Sequence, residues 1–205
     1  MKIAIIGDSH VRAFKDIENV YPIFIGQGKH INLFGKNLET TINRILEVND
    51  KIENDIIYLS LGEPNCRYEL GYEWAPHEHE DVQPFFNRYI IEKYVNNYET
   101  ILETVEQKTN KKVFALTAST CYEPSLKAIK YFNRLMLEYL KDKCVNLTDY
   151  YNDLDHYRGD VIHLNTNYFD LFIDKIKKLN HIQNEQKFVK KKHIFENFGC
   201  IRPWI

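Results

Sequence analysis

Cysteine is scarce and scattered in this sequence. The 205 residues contain four cysteines, none of them paired in a CxxC motif, namely Cys66, Cys121, Cys144 and Cys200. A disulfide framework or a zinc site needs closer or more regular spacing than this. We therefore expect free thiols, as in a protein kept in a reducing compartment.

Long apolar runs are also missing. No stretch approaches the roughly 20 apolar residues that a membrane-spanning helix requires, so we expect no membrane partner. The apolar start, residues 1–6, is too short for a signal peptide and lacks a small-residue cleavage pattern. A cytoplasmic location is the expectation that follows.

Charge of one sign does not accumulate in either half of the chain. The formal net charge is −2, so composition gives no reason to expect a nucleic-acid partner. The length and a hydrophobic content of 44% suit one domain with a substantial core. Fourteen tyrosines and twelve phenylalanines would supply core residues and, in part, the lining of a sugar-like site.

Neither a metal nor a nucleotide cofactor is predicted. His77 and His79 stand two residues apart in a polar stretch, without the spacing of an HExxH metal motif. The opening strand resembles that of a dinucleotide-binding unit, but the residues after Gly7 lack the second and third glycines of GxGxxG. A pyrophosphate could therefore not approach the backbone in the usual way.

Apolar runs and helical periodicities alternate along the chain, which predicts a doubly wound α/β fold with a parallel sheet. The predicted strands are 3–6, 21–25, 55–61, 112–117 and 144–147, and the predicted helices are 37–48, 85–107, 126–141 and 167–179. A helical pattern also follows Gly7, and Asn37 is the expected N-cap of the first long helix. Residues 67–84 and 149–158 are expected loops, the first at the same end of the sheet as Ser9. We assign residues 1–180 to one domain and 181–205 to a basic and aromatic extension.

Three polar segments stand at the ends of predicted strands or before the last helix. They are Gly7-Asp8-Ser9-His10, Gly62-Glu63-Pro64-Asn65 and Asp160-Val161-Ile162-His163. Taken alone, each segment has a structural interpretation as a helix cap, a turn or a histidine in a structural role. Together they meet the needs of acyl transfer to a serine, which requires a base, a group that orients the base, and donors for the oxyanion. Asp160 can hold one nitrogen of His163 while the other faces Ser9, and Asn65 can join the Ser9 N–H as an oxyanion donor.

The three segments, in this order, resemble the blocks of the SGNH (GDSL-like) hydrolase family over most of residues 1–180. The resemblance implies a flavodoxin-like three-layer sandwich with a central five-stranded parallel sheet. It further implies that Ser9 is the nucleophile and an oxyanion donor, Asn65 an oxyanion donor, His163 the base and Asp160 its partner. An α/β-hydrolase is disfavoured, because no GxSxG elbow surrounds Ser9.

The family's second block, a glycine that donates its backbone N–H, has several candidates in this chain. Gly35 precedes the first long helix and is preferred, while Gly26 and Gly28 follow a strand directly and are rivals. The phrase Gly62–Arg67, GEPNCR, resembles a subset with GEIDCR that is associated with surface-polysaccharide modification. Members of that subset often carry Asp at the position that is Asn65 here.

Two further residues are candidates for substrate binding. Arg67 has a planar fork that suits a carboxylate or another anion, although a salt bridge to the following loop is the alternative. His10 follows Ser9 directly and would contact the substrate, or else pack or cap. Asp8 is expected to bond backbone amides in the tight turn.

The function expected from these residues is serine ester hydrolysis through an acyl-serine intermediate. The substrate class is an O-acyl, acetyl-like group on a carbohydrate or small metabolite. Two alternatives stay open, namely acyl transfer to a sugar hydroxyl and a non-catalytic carbohydrate-binding module on the same scaffold. A homo-oligomer is also left open.

Overall fold

A computed structural model of the chain describes residues 1–15, 17–26, 33, 37–68, 88–119, 123–148, 168–183 and 185–189. Its strands are β1 (Ile3–Gly7), β2 (Val20–Phe24), β3 (Ile56–Ser60), β4 (Lys112–Leu116) and β5 (Cys144–Val145). Its α-helices are α1 (Leu38–Asn49), α2 (Glu63–Tyr68), α3 (Arg88–Thr109), α4 (Glu123–Leu140) and α5 (Tyr168–Lys178). A 3-10 helix, Ser9–Phe14, follows β1, and a short 3-10 turn, Lys141–Lys143, precedes β5.

The five strands form one sheet in the order β2-β1-β3-β4-β5, and every neighbouring pair is parallel. The predicted five-stranded parallel sheet is therefore confirmed. All five residues of β1 are buried, as expected for a strand covered on both faces. The edge strand β2 contains Pro22, which has no N–H to donate and is tolerated where only one neighbour needs bonds.

Side chains alternate along each strand between two separate hydrophobic cores. Ala4 and Ile6 of β1 face the core formed with α1, α3 and α4. Ile3 and Ile5 face the core formed with the 3-10 helix and α5, where the Phe14 ring lies 5.1 Å from the Phe172 ring. Helices thus cover both faces of the sheet, which confirms the predicted flavodoxin-like three-layer sandwich.

The helix predicted after Gly7 is a short 3-10 helix. It ends at Phe14, because the backbone of the next residue, Lys15, is extended, with a φ of −68° and a ψ of 161°. Asn37 precedes α1 as predicted, but its side chain makes no capping bond. Its φ of −110° and ψ of 0° differ from the extended conformation that lets an N-cap side chain reach the first helical N–H groups.

The segment predicted to stop β3 as a turn instead opens a helix. α2 begins at Glu63, and the Cys66 N–H donates to the Gly62 carbonyl oxygen at 3.0 Å. Pro64 suits this place, because the first turn of a helix does not need its missing N–H. Asn65 is consequently held on a helix.

Part of the predicted C-terminal extension packs against the domain. Ile182 is buried in the core beneath α5, and the Phe188 ring lies 5.8 Å from the Phe169 ring. The Glu18 N–H donates to the Val189 carbonyl oxygen at 2.9 Å. Within the described ranges, no helix combines the length and the apolar character that crossing a membrane demands.

Candidate active site

The candidate site lies at the carboxyl edge of the sheet, between β1 and β3. The strand order reverses at this point, since β2 follows β1 on one side and β3 lies on the other. Open parallel sheets bind ligands in the crevice outside such a reversal. Ser9 follows β1 and Asn65 follows β3, so the fold brings these two predicted residues to neighbouring strand ends.

Gly7 allows the end of β1 to lie unusually close to β3. A Cβ at this position would stand 1.9 Å from the Ser60 carbonyl oxygen. The next residue, Asp8, donates its N–H to that same oxygen at 3.0 Å. The turn that carries Ser9 is therefore tied directly to the end of β3, the strand that leads to Asn65.

Asp8 and His10, the residues on either side of Ser9, are hydrogen-bonded to each other. The Asp8 Oδ1 atom accepts the His10 backbone N–H at 3.0 Å and lies 2.8 Å from His10 Nδ1. Both side chains are buried, whereas Ser9 itself is half-buried. The expectation that Asp8 bonds a backbone amide in this turn is confirmed, and its carboxylate caps the 3-10 helix.

Asn65 holds a buried amide donor at the same edge. The residue is 2% exposed, and its Nδ2 atom has no hydrogen-bond partner among the described residues. Buried donors are nearly always paired, so an amide without a partner requires an explanation. The preceding Gly62 permits the approach, because its φ is +110° and a Cβ there would lie 2.6 Å from the Phe132 ring.

Of the three candidate glycines, the structure describes Gly26. It follows β2 with a φ of +133°, a conformation that side chains rarely adopt, and it is buried. The preceding residue, Ile25, donates its N–H to the Gly7 carbonyl oxygen at 3.0 Å, which places Gly26 beside the end of β1. Gly28 and Gly35 lie outside the described residues, so the choice between Gly35 and Gly26 stays a prediction.

The ends of β4 and β5 are fastened by side chains that sequence reasoning did not single out. Asn133 of α4 accepts the Ala118 N–H through Oδ1 and donates Nδ2–H to the Ala118 carbonyl oxygen, each at 2.8 Å. Thr117 Oγ1 accepts the Leu147 N–H at 3.0 Å. Asn133 occupies a buried position in the apolar stripe of α4, and the only signal for it was a polar residue in that stripe.

Two of the buried ionisable side chains near this edge, Tyr98 and Cys144, have a raised pKa. Burial raises the pKa of Tyr98 well above its usual range, and the phenol donates its proton to the Leu59 carbonyl oxygen at 2.6 Å. Burial also raises the pKa of the Cys144 thiol to about 12. Both groups therefore stay neutral near pH 7, and neither is an activated nucleophile.

Several predicted site residues lie outside the described residues. Asp160 and His163 are among them, and the side chain of Arg67 is likewise not described. His77 and His79, for which the sequence predicts no metal site, also lie outside the described residues. Among the described residues, no three His, Cys, Asp or Glu side chains gather as a metal site would require.

Comparisons with known proteins agree with this arrangement at the level of the fold. No model of a known protein family matches the chain, and no curated protein does either. Among solved structures, it is similar to a member of the lipolytic protein G-D-S-L family from Veillonella parvula DSM 2008. That likeness has 14% identity and a TM-score of 0.53, and it covers 91% of this chain and 100% of the other.

A second solved structure is a candidate acylhydrolase from Bacteroides fragilis NCTC 9343. It is 13% identical, with a TM-score of 0.51 and coverage of 88% of this chain and 86% of the other. Both likenesses cover most of this chain, which forms the parallel sheet of order β2-β1-β3-β4-β5. The chain therefore has the fold of the SGNH (GDSL-like) hydrolases.

Proposed function

We propose that this chain is a serine ester hydrolase that works through an acyl-serine intermediate. Ser9 attacks the acyl carbon, His163 accepts the hydroxyl proton, and Asp160 orients the imidazole. The oxyanion accepts hydrogen bonds from the Ser9 N–H, from Asn65 Nδ2 and from a glycine N–H, that of Gly35 in preference to Gly26. Loss of the alcohol yields the acyl-serine, and water activated by the same histidine then releases the acid.

The observation that carries the proposal is the amide of Asn65. An oxyanion site must present donors before the negative charge develops, which means that these donors lack a protein partner in the resting state. Asn65 Nδ2 meets this description among the described residues, at 2% exposure and one strand away from Ser9. A purely structural asparagine would instead be paired, as Asn133 is.

The position of α5, the helix that follows His163 in the chain, supports the role proposed for His163. Phe172 of α5 packs on Phe14 of the 3-10 helix that begins with Ser9, so the two helices are adjacent. α5 starts at Tyr168, five residues after His163. Five residues span at most about 18 Å, and the contact of α5 with the helix of Ser9 therefore supports the proposal that His163 serves as the base for Ser9.

The names of the two similar structures, an acylhydrolase and a lipolytic protein, support ester hydrolysis as the reaction class. For the substrate we propose an O-acyl, acetyl-like group on a carbohydrate or small metabolite, with Arg67 as a candidate substrate contact. His10, the other candidate from the sequence, is buried against Asp8, which favours a role within the turn over contact with the substrate. Acetylated sugars and p-nitrophenyl esters of increasing chain length would test this choice. Preference for a long acyl chain would contradict it.

The decisive experiment combines turnover with labelling of the nucleophile. The wild-type chain is expected to hydrolyse p-nitrophenyl acetate and to react with a fluorophosphonate probe, with the adduct mapped to Ser9 by peptide mass spectrometry. Ser9→Ala should abolish both signals. Ser60→Ala is the matched control, because Ser60 is also half-buried and ends the neighbouring strand. Labelling that persists in Ser9→Ala, or its absence from the wild type, would overturn the proposal.

A further inference from the structure

From the hydrogen bonds between Asp8 and His10, which flank Ser9, we infer that His10 is a positioning residue for the nucleophile and acts through its bond to Asp8. The inference rests on the proposed function, because it concerns how Ser9 is held for attack. In this role, Nδ1 of the His10 imidazole bonds to Asp8 within the turn that carries Ser9. Contact with the substrate is not needed for this role.

The geometry closes a small ring around Ser9. One oxygen, Asp8 Oδ1, lies 3.0 Å from the His10 backbone nitrogen and 2.8 Å from His10 Nδ1. Asp8 is 6% exposed and His10 is 5% exposed, so water competes little for either bond. The residue between them, Ser9, is thereby fixed from both sides, and the Asp8 N–H anchors the ring to Ser60.

The proton between the two side chains belongs to the imidazole. An ionised carboxylate offers only lone pairs, and Asp8 Oδ1 already accepts the backbone N–H, so His10 Nδ1 must be the donor. This bond fixes the tautomer and the ring plane of His10. A 3-10 turn of six residues has few bonds of its own, and the side-chain bond replaces the rigidity that a longer helix would supply.

The consequence for catalysis concerns the rate of attack. A nucleophile displaced by about 1 Å can lose about 100-fold in rate although substrate binding is unchanged. Removing the His10 side chain should therefore lower kcat and the rate of fluorophosphonate labelling together. KM should stay nearly constant, since the proposed role involves no substrate contact.

Three substitutions of His10, together with Asp8→Ala and a double variant, separate this role from its alternatives. Asn carries its amide nitrogen where His carries Nδ1, whereas Gln carries its amide nitrogen one bond further out. We expect His10→Ala and His10→Gln to reduce kcat by about 10- to 100-fold, and His10→Asn to restore most of that loss. Asp8→Ala should lower kcat similarly, and the double variant should lose no more than either single one.

The outcomes decide the matter. Rescue by Gln but not by Asn, with a raised KM, would show that His10 contacts substrate and would overturn the inference. Equal loss of folding stability in all variants, with unchanged kcat per folded molecule, would reduce the pair to a structural role. A nitrogen-15 NMR spectrum of the wild type must show a proton on His10 Nδ1. A missing proton there would overturn the inference while wild-type labelling still supports the proposed function, whereas failure of wild-type labelling would refute the proposed function itself, so the two failures are distinguishable.

Discussion

Asn65 offers the sharpest test of the reasoning, because its removal should separate activity from stability. Its Nδ2 atom is buried and has no partner among the described residues, a state that costs about 1–3 kcal/mol. Asn65→Ala removes this cost but leaves a small cavity, and the two effects oppose each other. We expect the free energy of unfolding to change by less than about 1 kcal/mol.

The same substitution should be severe for catalysis. Loss of one oxyanion donor typically lowers kcat by about 10²- to 10³-fold, which corresponds to roughly 2.7–4 kcal/mol of transition-state stabilisation. The measurements are hydrolysis of p-nitrophenyl acetate, single-turnover acylation by a fluorophosphonate, and urea unfolding followed by circular dichroism. Acylation should slow in parallel with kcat, because the oxyanion forms in that step.

Asn133→Ala provides the matched control, because it removes another buried asparagine near the same edge. Here both amide atoms are bonded to the backbone of Ala118 at 2.8 Å, so the substitution leaves a buried N–H and a buried C=O unpaired. We expect a loss of about 2–4 kcal/mol in stability, with kcat per folded molecule within about tenfold of the wild type. Similar stability losses in both variants would refute the view that Asn65 Nδ2 is an unpaired donor, and an active Asn65→Ala variant would refute its catalytic role.

The sequence predicts the layered fold well because the signals that define it are local. All three central strands are short apolar runs, and β1 and β3 stop at or near a glycine, Gly7 and Gly62. Short apolar runs of this kind are typical of buried parallel strands. The long helices α3 and α4 carry apolar residues at three- to four-residue spacing, so their existence was predictable and only their ends shifted. The placement of Ser9 and Asn65 at neighbouring strand ends then follows from the strand order, which is that of the flavodoxin-like sheet implied by the family resemblance.

What the sequence could not predict depends on contacts between distant residues or on very short elements. α2 has six residues, too few for a helical period, so Gly62–Asn65 looked like a turn. The pairing of Asn133 with Ala118 spans 15 residues and exists only once α4 packs on β4. The contact of Asp8 with His10 likewise depends on the extended backbone of Asp8 at the N-cap, which no sequence pattern reveals.

Three further predictions concern stability and follow from the backbone and from one histidine. Gly7→Ala would place a Cβ 1.9 Å from the Ser60 carbonyl oxygen, so we expect urea unfolding to show a loss above about 3 kcal/mol, and a wild-type midpoint would refute this close approach. Gly62→Ala would force a side chain onto a backbone φ of +110° and place its Cβ 2.6 Å from the Phe132 ring. The backbone strain alone should cost about 1–3 kcal/mol of stability. A double-mutant cycle should show that this cost persists when Gly62→Ala is made in a Phe132→Ala background, where the ring is absent. Burial, together with the positive charge of Lys112, lowers the pKa of His181 to about 4, against 6.5 in the unfolded chain. Between these two values the unfolded chain binds a proton that the folded chain does not, so acidification through this window destabilises the fold. His181→Gln removes that proton uptake. The slope of the unfolding free energy against pH, measured by urea unfolding at steps from pH 7 to pH 4, should therefore be smaller in the variant. The decrease should correspond to at most about one proton bound on unfolding. An identical slope in the two proteins would mean that His181 titrates normally in the folded state, although its ring stacks on that of Phe114 with 3.7 Å between the centroids, and would refute the lowered pKa.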